Sequence, residues 1–109
     1  MLSRKGLNMS DEFKISLAQL NATVGDLSGN TQKVMEAWEI ARDQRSDLIA
    51  FPELFITGYN PQDLILKTAF QKAATSSIDQ IAKACAQGPA IAIGGPFYDE
   101  NKLYNSYYI

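Results

Sequence analysis

The chain reads as an α/β fold, a layered domain built on a largely parallel sheet, with elements in the order strand, helix, strand, helix, helix, strand, strand. Three observations carry this. Leu48 to Phe51 is an uninterrupted apolar run too short for a helix and closed by Pro52, the signature of a buried parallel strand. A second such run, Ala90 to Gly94, follows the stop signal Gly88-Pro89. Before each run lies a segment whose apolar residues recur at helical spacing, and strands alternating with helices make a sheet covered by helices.

Phe13 to Leu20 alternates, with Phe13, Ile15 and Leu17 on one side and Lys14 and Ser16 on the other. It is therefore a strand, expected to be half exposed at its start and more buried later. The polar loop from Asn21 to Asn30 delivers the chain to Asn30, a good helix cap. Its Gly25 and Gly29 fit neither the P-loop nor the dinucleotide pattern, so they are read as turn residues. From Thr31 to Arg45, Val34, Ala37, Trp38 and Ala41 mark the buried stripe of a helix, and Trp38 is assigned to the core rather than to ligand stacking. The strand, helix and strand from Phe13 to Phe51 should form a parallel, right-handed crossover unit.

Asn60 can cap a short helix that starts at Pro61, with Asp63 placed favourably near its positive end as a structural residue. A longer helix, from about Thr68 to about Gln87, should bury Phe70, Ala73, Ala74, Ser77, Ile78, Ile81 and Cys85. Gly95-Pro96 predicts a bend or bulge after the strand at Ala90, and the polar residues Asp99 to Lys102 a turn. Leu103 to Ile109 then returns as the second strand of an antiparallel hairpin, its Tyr104, Tyr107 and Tyr108 read as sheet packing.

With 109 residues, 46% of them hydrophobic, and a formal net charge of −2, the chain suffices for one small core. Its ten Lys and Arg are scattered, which argues against nucleic acid, and no apolar run is long enough to span a membrane. Met1 to Ser10 lacks the apolar segment of a secretory signal, and residues 1–12 are expected to be a disordered leader. A cytoplasmic protein is expected, in keeping with a single Cys. The absence of His excludes Ser-His-Asp and Cys-His catalysis and His-based metal sites within these residues, and no metal ligand set is assigned.

The strongest site candidate is Glu53, immediately past the buried run, where open α/β sheets collect their ligands in the crevice beyond the strand ends. Phe51, Pro52, Leu54, Phe55 and Ile56 flank it, and several should be buried beside it, so the carboxylate is expected to be held out of water, in surroundings that suit a general base. The plain alternative is a strand-end carboxylate that holds backbone N–H groups. Tyr59, six residues on, is a weaker candidate for the substrate pocket, and packing under a loop explains it equally well. Cys85 is read as an inert core thiol, because it ends an apolar helical stripe with no activating neighbour.

The stretch Glu53-Leu54-Phe55-Ile56-Thr57-Gly58-Tyr59 resembles the first catalytic motif of the nitrilase (carbon-nitrogen hydrolase) superfamily, whose sites use a Glu, a Lys and a Cys. With Asn60-Pro61-Gln62-Asp63-Leu64 added, the segment is similar to that in the amino-terminal glutaminase domains of glutamine-dependent NAD synthetases. Their usual form has Pro at the position of Asn60 and an acidic residue at that of Gln62.

The resemblance covers residues 13–109 and implies the opening part of an αββα sandwich, incomplete at its carboxyl end, with Glu53 as the general base. It also implies that the intact protein hydrolyses glutamine and supplies ammonia for amidation of deamido-NAD. ATP and Mg belong to a synthetase domain outside this segment, and a homo-oligomer is expected when intact. The family's Lys and Cys have no counterpart here, and Lys67, Lys72, Lys83 and Lys102 do not match the Lys motif, so the segment alone is expected to be inactive. A stand-alone amidase of the superfamily and a non-catalytic α/β module are the alternatives.

Overall fold

The computed structural model describes residues 12–59, 61–99 and 102–109. Strand β1 (Ile15–Leu17), helix α1 (Leu27–Asp43) and strand β2 (Leu48–Ala50) form the first unit. A short 3-10 helix (Gln62–Leu66), helix α2 (Thr68–Ala84), strand β3 (Ala90–Asp99) and strand β4 (Lys102–Tyr108) complete the chain. The sheet runs in the order β1-β2-β3-β4, parallel through β3, with β4 antiparallel to β3. Class, element order and pairing follow the sequence expectation.

Register shows which face is covered. Ser16, Ile49 and Ile91 lie side by side across the three parallel strands. Ile49 and Ile93 join Val34, Trp38 and Ala41 of α1 and Ile81 of α2 in one buried cluster with Phe51, Phe55 and Ile56. Both helices therefore pack on this face. Ile15 and Leu17 take the other face with Leu48, Ala50, Ala90 and Ala92, since neighbours along a strand point to opposite sides.

The expectation that the strand becomes more buried along its length is not met on its apolar side, where Phe13, Ile15 and Leu17 are 66%, 51% and 72% exposed. Ser16 is instead the half-buried residue, and its hydroxyl meets that of Ser46. Alternation sets the period of a strand, but not which of its two faces the helices cover.

Helix α1 starts earlier than Asn30 suggests, because Asp26 is the cap and its Oδ1 accepts from the Gly29 N–H at 3.0 Å. Trp38 is buried as expected, with its Nε1 donating to the Pro89 carbonyl at 3.0 Å. Gly88, at φ +142°, makes room for the same ring, since a Cβ there would lie 2.7 Å from it. Helix α2 ends at Ala84, before the expected Gln87, and Cys85 closes it. Within α2, Ala74 and Ile81 are buried as expected, but Ala73 is exposed and Gln71 is buried in its place. The Gln71 side chain is accommodated there by donating to the Ile65 carbonyl at 2.8 Å.

The 3-10 helix begins at Gln62 with Pro61 as its cap residue, one position later than expected. The roles assigned to Asn60, to the Asp63 side chain and to residues 1–11 lie outside the described residues. No bulge interrupts β3, which runs through Gly94, Gly95 and Pro96 while pairing with β4 on one side. Its ladder with β2 ends at Ala92, so Pro96 has no β2 partner for its missing N–H to fail.

Candidate active site at the end of the second strand

After Ala50 the chain stays beside β3 but stops being a strand. The Phe51 N–H bonds to the Ala92 carbonyl at 2.9 Å, and the Ile56 N–H reaches the Gly94 carbonyl at 3.4 Å. Between these anchors the backbone turns. Leu54 adopts φ +50°, a left-handed conformation unusual for a branched side chain, and Thr57 and Gly58 close the turn through N–H bonds to Leu54 and Phe55. The turn holds its apolar side chains inward: Leu54, Phe55 and Ile56 are 7%, 2% and 0% exposed. Thr57 is fully buried too, its hydroxyl donating to the Leu54 and Gly58 carbonyls.

A second loop braces this turn. Asn30, fully buried, accepts from the Thr23 N–H at 2.8 Å and donates to the Thr23 and Ile56 carbonyls at 2.9 and 3.0 Å. Beside it, the Gly25 N–H bonds to the Thr57 carbonyl at 2.9 Å. Gly58, at φ +78°, is where the two backbones meet, since a Cβ on it would lie 2.6 Å from the Val24 Cα.

Glu53 is thus placed at the carboxyl end of β2, as its position in the sequence requires. Its burial is not as expected. The apolar neighbours turn into the core, while Pro52 and Glu53 point outward and are exposed. The flanking residues therefore do not strip the carboxylate of water, because the turn at Leu54 separates the two groups of side chains.

What the Glu53 carboxylate meets is β4. Asn105 Nδ2 donates to Glu53 Oε1 at 2.7 Å, and the Tyr107 hydroxyl donates to the Phe51 carbonyl at 2.6 Å. Neither residue stands out in the sequence as a site residue. The available signal was their spacing, which puts a polar amide and a phenol on one face of the returning strand.

Tyr59 is 69% exposed, so the alternative of packing under a loop is not found. Cys85 lies on the helix side and packs against the core; burial first, and the Glu39 charge second, push its thiol above the usual range. That is the opposite of what activates a nucleophile. Lys67, Lys72, Lys83 and Lys102 are all exposed. Among the described residues, no group of three or more His, Cys, Asp or Glu could hold a metal ion, and no helix is long and apolar enough to cross a membrane.

A layered α/β sheet with a carboxylate just past an inner strand has that group in the crevice where such sheets collect their ligands. A family model described as carbon-nitrogen hydrolase matches residues 14–109, and the chain belongs to this family. Within the family it is similar to the glutamine-dependent NAD(+) synthetase of Rhodobacter capsulatus, with 48% identity over 93% of this chain and 18% of that protein. The crystal structure of a glutamine-dependent NAD(+) synthetase from Cytophaga hutchinsonii superimposes with a TM-score of 0.82 at 28% identity, over 87% of this chain and 16% of that one. A Glu-to-Gln mutant of the amidase from Nesterenkonia sp. AN1, which shows Michael addition of acrylamide at its active-site cysteine, matches with a TM-score of 0.68 at 27% identity, over 81% of this chain and 35% of that one. The chain spans less than a fifth of the length of the two synthetases.

Proposed function

We propose that this chain is the part of a glutamine-hydrolysing domain that carries the general base, and that the intact protein is a glutamine-dependent NAD synthetase. The observation that carries the reading is the place of Glu53: at the carboxyl end of β2, on a braced turn, in a carbon-nitrogen hydrolase chain 48% identical to a synthetase. In this reading Glu53 accepts the proton of a Cys thiol, and the thiolate attacks the glutamine amide carbon. Glu53 returns that proton to the amide nitrogen as the C–N bond breaks, so ammonia leaves; water, giving a proton to Glu53, then releases glutamate from the thioester, and the thiolate takes the proton back. A Lys donates to the oxyanion, and Tyr59 takes the substrate-facing role.

The exposed side of Glu53 leaves room for that Cys and Lys, neither of which has a counterpart in these residues. The open face of the sheet, with Ile15 and Leu17, likewise suits the second sheet of an αββα sandwich. The ammonia is then used, with ATP and Mg, to amidate deamido-NAD. The described residues offer no ligand set for Mg, so no step here passes through it. A cytoplasmic homo-oligomer completes the proposal. The synthetase is favoured over a stand-alone amidase by the closer superposition, 0.82 against 0.68 in TM-score.

The test is Glu53→Gln in the full-length protein. Glutamine-driven synthesis of NAD should fall by roughly three orders of magnitude or more, within the range removed with a base or nucleophile, while synthesis from free ammonium salt persists. The 109-residue chain alone should release no ammonia from glutamine. Retention of both activities by the variant would refute the assignment of the base.

A further inference from the structure

We propose that Asn105 is a positioning residue for the Glu53 carboxylate, holding Oε1 so that Oε2 is left to take the proton. This rests on the reading of Glu53 as the base. The geometry behind it is a grip on both sides of Pro52. Asn105 and Tyr107 are two residues apart on β4 and so share a face of the strand. Tyr107 holds the Phe51 carbonyl at 2.6 Å, and Asn105 holds the Glu53 carboxylate at 2.7 Å.

The surface beneath is fitted to the same segment. Gly94 pairs with Tyr107 in the β3–β4 ladder, and a Cβ on Gly94 would lie 2.4 Å from the Leu54 nitrogen and 3.0 Å from the Glu53 Cα. Only a glycine lets the backbone of Glu53 and Leu54 lie this close to β3. With the Phe51 N–H on Ala92 before it and the Ile56 N–H on Gly94 after it, the backbone on either side of Glu53 is anchored, while its side chain keeps three rotatable bonds.

Asn105 supplies the missing restraint. Its amide is a neutral donor that orients one carboxylate oxygen through a hydrogen bond. An exposed general base gains most from such a donor, because neither burial nor packing fixes its rotamer.

The experiment uses the full-length protein and reads glutamine-driven and ammonia-driven synthesis side by side. Asn105→Ala and the isosteric Asn105→Asp should each lower kcat for the glutamine-driven reaction about 10- to 100-fold, with KM and the ammonia-driven rate within twofold of wild type. Asn105→Ala placed on Glu53→Asp, whose shortened side chain no longer reaches the amide in the same way, should cost less than twofold further. Wild-type glutamine-driven rates in both Asn105 variants, or an undiminished loss on the Glu53→Asp background, would overturn the proposal. So would loss of the ammonia-driven rate in Asn105→Asp, since that marks a role in folding. Normal glutamine-driven activity in Glu53→Gln would remove the base itself and is distinguishable from all of these.

Discussion

Asn30 shows how a single side chain joins two loops. Its amide uses three bonds to tie Thr23 to the carbonyl of Ile56, three residues past Glu53, in a place with no access to water. Asn30→Ala would leave the buried Ile56 carbonyl and the part-buried Thr23 N–H and carbonyl without that partner, at a cost of roughly 1–3 kcal/mol for the first and less for the others. A loss of about 2–4 kcal/mol is expected in urea denaturation. The sequence marks Asn30 as a helix cap, because Asn accepts N–H bonds well. Its actual role depends on Asp26 having already opened the helix, and on the Glu53 turn arriving beside it.

The turn after β2 owes its shape to the element next to it. β3 carries two adjacent glycines whose surroundings differ. A Cβ on Gly94 meets backbone, at 2.4 Å from the Leu54 nitrogen, whereas one on Gly95 meets side chains, at 3.0 Å from Ile56 Cγ2 and 3.4 Å from Tyr108. Backbone cannot move aside without carrying Glu53 with it, but a side chain can shift by tenths of an ångström. Gly94→Ala is therefore expected to cost about 2–3 kcal/mol and Gly95→Ala about 1 kcal/mol or less. Gly94→Ala should also displace the Asn105 side-chain amide resonance in a nitrogen–proton spectrum, while Gly95→Ala leaves it nearly in place. The run AIAIG discloses a strand, but it does not say that one of its glycines lies under the segment bearing the carboxylate.

For the whole molecule, pH reports how the core is closed. Burial first, and a nearby carboxylate second, raise both the Cys85 thiol and the Tyr108 phenol: Glu39 acts on Cys85 and Asp79 on Tyr108. The folded state thus holds these protons more tightly than the unfolded one. The stability they contribute is complete below the ordinary thiol and phenol ranges and is lost as pH rises through the raised values. Urea midpoints should be unaffected by these groups near pH 7 and fall above about pH 9, with Cys85→Ser removing the earlier part of the decline and Tyr108→Phe the later. On the other side of the sheet, Phe13, Ile15 and Leu17 stay exposed. The two faces thus differ in kind: one is a finished core, the other an apolar surface.

The sequence by itself determined the α/β class, the order of elements, the core positions of Trp38 and Ile81, and the place of Glu53 past an inner strand. Those are consequences of periodicity, run length and chain-breaking residues, all of which act locally. Only the tertiary structure decided that the apolar side of β1 faces away from the helices, that Glu53 is exposed while Phe51 and Leu54 to Ile56 are buried, and that Asn105 meets it from 52 positions away. Each of these depends on which surfaces meet when distant segments pack, and a side-chain pattern with two faces does not say which one is covered.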